Sequence, residues 1–273
     1  MSPASHTFTA DTDLALDQCL AQEQQHYPAC TRSLLSILRA MASAGEAIHH
    51  MVRRLDLTGI TGKQGAYNPS GDEQQKLDIV AQDIVLEALA ATGEVCAVVS
   101  EEQEDMLALP PREGRYILAL DPLDGSPNID VNAPICTIFS VYQRLSPLSM
   151  AVQRADVLQV GHQQVAAGYM LYGTSTMLVY TVGRGVRGLT YDPAKKDFFL
   201  AYPALRMPGE GRTYAVYDSY FTSFPTHVQA YLQHCRNQGY AARYMGALVA
   251  DFHRHLIQGG SYLYPPTPPQ PQG

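Results

Sequence analysis

Two short apolar runs, each ending in acids, constrain this 273-residue chain more than any other feature. Residues 95–100 (VCAVVS) lead directly into Glu101 and Glu102. Residues 116–120 (YILAL) lead into Asp121, with Asp124 three positions on. Short apolar runs bounded by polar residues read as buried strands. Open α/β sheets bind their ligands in the crevice at the carboxyl ends of strands. A chain that gathers four carboxylates there is predicted to be a layered α/β protein with its site at those ends.

Crowded acids destabilise one another without a counter-charge. Bound divalent cations are the simplest counter-charge, and oxygen donors suit Mg2+ or Mn2+ rather than Zn2+. The segment DPLDGSPN (121–128) adds detail. Pro122 stiffens the turn. Asp121 and Asp124 can face one cluster, with the Leu123 carbonyl as a neutral ligand. Gly125 and Ser126 offer backbone N–H groups to a phosphate. Metal on one side and amide donors on the other suit hydrolysis of a phosphate ester.

The rest of the chain supplies the frame. Thr31 is a plausible N-cap. Leu34, Leu38, Met41, Ile48, Val52 and Leu55 then follow at helical spacing. A second helix is predicted from about Asp72 to Ala91, stopped by Gly93. Further strands are predicted at 137–143, 164–172, 177–182, 197–202 and 213–217, with turns at Gly183, Gly185 and Gly188. Helices follow at 226–238 and from Gly246. Residues 1–30 read as a loose start or a short first helix. The domains expected are 31–203, carrying the acids, and 204–273.

A net charge of -7 disfavours non-specific nucleic-acid binding, which needs basic residues against phosphates. Cys19, Cys30, Cys96, Cys136 and Cys235 form no CxxC pair and read as thiols of a reducing, cytoplasmic compartment. Neither a signal peptide nor an apolar stretch of membrane-spanning length is legible. His253 and His255, at i and i+2 on a helix, point to different faces and read as packing residues, as do His49 and His50. Arg184 and Arg187 read as a turn surface.

Glu-Glu followed by DPLDG resembles the signature of the lithium-sensitive, metal-dependent phosphatases. Longer segments resemble class 1 fructose-1,6-bisphosphatase in particular: NPSGDEQQKLD (68–78), GSPNIDVNAPICTIFSVY (125–142), QVAAGYMLYGTSTMLVY (164–180) and ARYMGALVADFHRHLIQGGSYLYP (242–265). The resemblance runs from about residue 28 to 265. It implies a sugar-phosphatase fold of stacked helix and sheet layers, usually a homotetramer, that hydrolyses fructose 1,6-bisphosphate with Mg2+, Mn2+ being the alternative.

By the same resemblance, Glu101, Asp121, Asp124 and the Leu123 carbonyl are metal ligands, and Glu102 orients or deprotonates the attacking water. Asp72 and Asp78 support proton handling or metal binding, although Asp78 also reads as a helix-surface charge. Asp124, Gly125, Ser126 and Pro127 lie on the 1-phosphate side. Tyr217, Tyr220, Arg243, Tyr244, Tyr262, Leu263 and Tyr264 lie on the sugar and 6-phosphate side, with the arginine crossing from a neighbouring subunit. Alternatives are a sedoheptulose 1,7-bisphosphatase and a non-catalytic paralogue.

Several positions depart from the family. Pro127 replaces a serine and removes an N–H donor. Tyr217 replaces an asparagine, Cys136 a glycine, and Gln143 a basic residue associated with AMP. The Pro-rich end at 265–273 stands where the family continues into a segment bearing a lysine and a metal-binding glutamate. A Pro-rich end also reads simply as a disordered tail. The expectation is a C-terminally truncated chain, a fragment with an incomplete second domain and impaired activity.

Overall fold

The computed structural model describes residues 13–55, 63–69 and 73–267. Helices α1 (Leu16–His26) and α2 (Arg32–Val52) come first, followed by strands β1 (Lys63–Tyr67) and β2 (Glu73–Gln75) and helix α3 (Lys76–Thr92). Next come β3 (Val95–Ser100), β4 (Leu107–Ala108), β5 (Tyr116–Asp124) and β6 (Ile135–Gln143), then the single turn α4 (Arg154–Val157). Strands β7 (Gln164–Tyr172), β8 (Thr176–Thr181), β9 (Val186–Asp192) and β10 (Asp197–Leu205) complete the large sheet. The remainder is β11 (Thr213–Ala215), α5 (Thr226–Asn237), β12 (Ala241–Ala242), α6 (Leu248–Gln258) and β13 (Ser261–Tyr262).

The large sheet has eight strands in the order β10-β9-β8-β7-β6-β5-β3-β4. Its neighbours are antiparallel except β3 and β5, which run parallel. Side chains alternate between the faces of a strand. Phe139, Met170 and Leu178 join Leu34, Leu38, Leu77 and Leu89 in the main core with α1, α2 and α3. Their neighbours Ile138, Tyr169, Leu171 and Val179 point the other way and pack with Val249, Ala250 and Leu256 of α6. A second, three-stranded sheet, β12-β11-β13, is parallel. It shares a small core with α5, including Tyr214, Val216, Phe224, Leu232 and Cys235.

The predicted helix after Thr31 is present. The Thr31 hydroxyl accepts the Leu34 N–H at 3.1 Å and bonds the Tyr116 hydroxyl at 2.7 Å, tying the helix start to the sheet. Thr31→Ala should destabilise the fold by about 1–2 kcal/mol in urea unfolding, with Thr31→Ser close to wild type. An unchanged midpoint in Thr31→Ala would show that the cap contributes nothing.

Three local expectations are corrected. The second helix begins at Lys76 rather than Asp72, because the Asp78 carboxylate accepts the Gln75 N–H and caps the helix there, while 73–75 pair with β1. Gly188 marks no turn: it lies inside β9, where Tyr202 and Leu205 crowd over it. Arg187 lies in the same strand and is bonded to Glu23 at 2.6 Å rather than exposed on a turn. The N-terminal segment carries α1, with Leu16, Cys19 and Leu20 buried.

Of the four histidines expected to pack, His49, His253 and His255 do, whereas His50 is exposed beside Glu46. His255 bonds the Asp251 carbonyl, His253 the Tyr169 hydroxyl and His49 the Thr176 hydroxyl. Among the described residues no helix is long and apolar enough to cross a membrane.

Candidate active site

The one parallel pair in the large sheet positions the acids. Parallel strands end at the same edge, and β3 and β5 are aligned with Ser100 opposite Leu120. The next residue on each strand is Glu101 or Asp121, so the two carboxylates emerge side by side. The Glu101 N–H donates to the Leu120 carbonyl at 3.0 Å and holds the first strand end in register. An antiparallel pair would have sent them to opposite edges.

Beyond Asp121 the chain bulges against β6 and is held at several points. The Asp121 carboxylate accepts the Leu123 N–H at 3.0 Å. Thr137 donates to the Pro122 carbonyl at 2.8 Å. Gly125 adopts φ +86, a left-handed conformation that glycine tolerates, and opens the short 3-10 helix Ser126–Val131. Pro127 sits in its first turn, where the helix needs no N–H from it.

Asp78 is not a surface charge. It is almost fully buried, and its second oxygen accepts the Ser126 hydroxyl at 2.7 Å. Burial raises its carboxyl above the ordinary range, against the lowering effect of these hydrogen bonds. Glu102 is also buried, its N–H on the Ser100 hydroxyl. Asn68 donates to Glu101 at 3.4 Å.

These groups line a cleft of about 820 Å³. Its lining brings together the acids Glu101, Glu102, Asp121, Asp124 and Asp78, the loop residues Leu123, Gly125, Ser126 and Pro127, and the phenols Tyr244, Tyr262 and Tyr264. Asn68, Gln75, Asp130, Gly246 and Leu248 also line it. Sequence reasoning had not named these five as site residues, although all five lie in quoted motifs: Asn68 and Gln75 in 68–78, Asp130 in 125–142, Gly246 and Leu248 in 242–265.

Four expected residues lie outside the cleft lining. Tyr217 stacks obliquely on Tyr244, ring centres 5.7 Å apart, and edge-on against Tyr220. Arg243 is exposed, with its guanidinium on the Ala242 carbonyl. Leu263 packs into the small core of the second sheet. Asp72 lies outside the described residues.

The electrostatics are one-sided. No lysine, arginine or histidine lines the cleft among the described residues. Burial, then the charge of Glu101 and of Asp124, pushes the Asp121 carboxyl up to about 9. Asp124 is raised by burial as well, offset by the N–H groups of Val249 and Leu248 at 2.8 and 3.1 Å. Those are the first residues of α6, whose own N-cap, Ala247, has no side-chain acceptor. Asp124 therefore caps that helix from a different part of the chain. With Asp124 turned to α6, no three acid, imidazole or thiol groups among the described residues converge on one point. The oxygen-only donors and the buried excess of negative charge nonetheless fit a hard cation.

Comparison with known proteins bears on the family and the fold. Residues 14–203 match the family model described as "Fructose-1-6-bisphosphatase, N-terminal domain", and 207–273 match its C-terminal domain. The chain is 51% identical over 271 residues to a class 1 fructose-1,6-bisphosphatase of Amoebophilus asiaticus, covering 99% of this chain and 82% of that protein. It superposes on the holo crystal structure of Leishmania major fructose-1,6-bisphosphatase with a TM-score of 0.88 at 31% identity, covering 96% of this chain and 81% of that one. The T-state structure of the same protein gives 0.82 at 29% identity with the same coverage. Both domains of the family are matched, so these matches do not support the expectation of a truncated chain.

Proposed function

The chain belongs to the class 1 fructose-1,6-bisphosphatase family, and from that premise we propose that it hydrolyses the 1-phosphate of D-fructose 1,6-bisphosphate to fructose 6-phosphate and inorganic phosphate. The observation that carries this reading is the parallel register that sets Glu101 beside Asp121 in a cleft that no basic side chain lines among the described residues. A dianionic phosphate enters such a cleft only if cations accompany it.

Glu101, Asp121, the Leu123 carbonyl and Asp124 would hold Mg2+, or Mn2+ in its place. When bound, the ion supplies counter-charge to the phosphoryl oxygens and acidifies a water. Glu102 orients that water or takes its proton. Asp78, through its bond from the Ser126 hydroxyl, holds the Gly125–Ser126 amides toward the 1-phosphate. Asp72 belongs with this proton-handling set.

The division of labour runs between residues 31–203, which carry the acids, and 204–273, which carry the phenols. Tyr244, Tyr262 and Tyr264, with Tyr217 and Tyr220 behind, bind the sugar and 6-phosphate by hydroxyl donation. The exposed Arg243 supports a homotetramer in which it serves a neighbouring subunit. Five buried free thiols fit a cytoplasmic setting.

The test is phosphate release from fructose 1,6-bisphosphate with and without Mg2+, beside sedoheptulose 1,7-bisphosphate. The expected result is Mg2+-dependent release with the higher kcat/KM on the fructose ester. Preference for the sedoheptulose ester would reassign the substrate, and no release with Mg2+, or with Mn2+ in its place, would sink the reading.

A further inference from the structure

Asp251 is fully buried in the first turn of α6, outside the cleft lining. A carboxylate at such a position is destabilising unless hydrogen-bonded, and its bonding partners reveal its use. Both oxygens accept the Met245 N–H, at 3.1 and 3.0 Å, and the neighbouring Gly246 N–H also favours the charged carboxylate. From the opposite side the Asn128 amide donates to the Met245 carbonyl at 2.9 Å and to the Pro134 carbonyl at 2.9 Å. The peptide groups of Met245 are thus gripped from both sides.

The gripped turn carries two residues of the cleft wall, Tyr244 and Gly246. Gly246 has φ +76, the left-handed conformation that reverses the chain toward α6. Tyr244 is 43% exposed, so packing does not hold its ring; its backbone has to. Its ring meets that of Tyr217, itself 49% exposed.

We propose that Asp251 is a positioning residue that fixes the 244–246 turn, and through it the Tyr244 hydroxyl, against the sugar-phosphate end of the substrate. It sets affinity without touching substrate. This rests on the reading of the cleft as a sugar-bisphosphate site.

The experiment measures kcat and KM for fructose 1,6-bisphosphate in the full chain and in Asp251→Ala, Asp251→Asn and Asn128→Ala. Amide hydrogen exchange at Met245 and Gly246 is followed in parallel. Losing a charge-assisted bond predicts a KM about 10-fold or more higher in Asp251→Ala, with kcat within about threefold. Asp251→Asn keeps one acceptor and should recover part of the affinity. Asn128→Ala should move KM in the same direction by less. Exchange at Met245 and Gly246 should accelerate in all three.

A role in folding alone would lower the active fraction, and so the apparent kcat, with KM unmoved. That result would overturn the proposal. If the wild-type chain does not turn over fructose 1,6-bisphosphate, the functional reading falls on its own. Exchange at the two amides then decides the clamp, and rates unchanged in Asp251→Ala would dismiss it.

Discussion

Asp121→Asn is expected to reduce phosphate release from fructose 1,6-bisphosphate by at least about 100-fold while raising the melting temperature of the metal-free protein. The two effects share a cause. Loss of a group that only supports a metal ligand already costs about 10–100-fold, and a ligating carboxylate should cost no less. Yet that carboxylate is a liability when no cation is present. It is half-buried beside Glu101 and near Asp124, and desolvation together with those charges pushes its carboxyl up to about 9. Asparagine has nearly the same shape, carries no charge, and keeps an oxygen for the Leu123 N–H. Relief of about 1 kcal/mol corresponds to a rise of about 2–4 °C in a chain of this size. Mg2+ should then stabilise the wild type and leave the variant unmoved. A variant that melts lower and still turns over substrate would remove Asp121 from the site.

Gly125→Ala should destabilise the protein by about 2–5 kcal/mol and abolish activity with it. Two penalties add: about 1–2 kcal/mol for an L-residue in the left-handed region and about 1–3 kcal/mol for overpacking. A Cβ at Gly125 would lie 2.5 Å from the Cβ of Ala247. Relief requires the loop and the start of α6 to separate, which breaks the bonds from Leu248 and Val249 to Asp124. Gly185→Ala separates the two causes: its φ is +87, but nothing lies within 4 Å of the added Cβ. It should show only the backbone penalty. Ala247→Gly in the Gly125→Ala background should restore the packing share. Urea unfolding of the three variants checks this, and equal losses at Gly125 and Gly185 would refute the crowding argument.

Much of the architecture was legible because periodicity and burial agree. The stripe from Leu34 to Ile48 is buried as its spacing predicts, and the run 164–172 is β7 residue for residue. The acidic strand ends were legible for the same reason, since five apolar residues before an acid leave little choice of where the strand stops. What spacing could not reveal was pairing. Nothing local says that β3 and β5 are parallel neighbours, and β9 hid because its glycine looked like a turn residue. The start of α3 was misplaced because a capping carboxylate three residues inside a helix also continues the helical pattern. Within the site, Leu263 illustrates the limit of motif reading. It lies between two tyrosines of the cleft, but alternation along an extended chain sends it into the core. Asp251 was invisible for a related reason: its partners are backbone N–H groups, which no sequence pattern displays.

The bond between Asp124 and Val249 spans 125 positions of the chain, and that separation imposes an order of events. The two acidic strand ends lie about twenty residues apart and can meet early, whereas a contact closing so long a loop forms late. During synthesis, which proceeds from the N-terminus, the crowded carboxylates exist before α6 has been made. The half-built protein therefore passes through an interval in which that acidic edge has no helix end against it. Cations or protons are what remain to quiet it until the last quarter of the chain arrives.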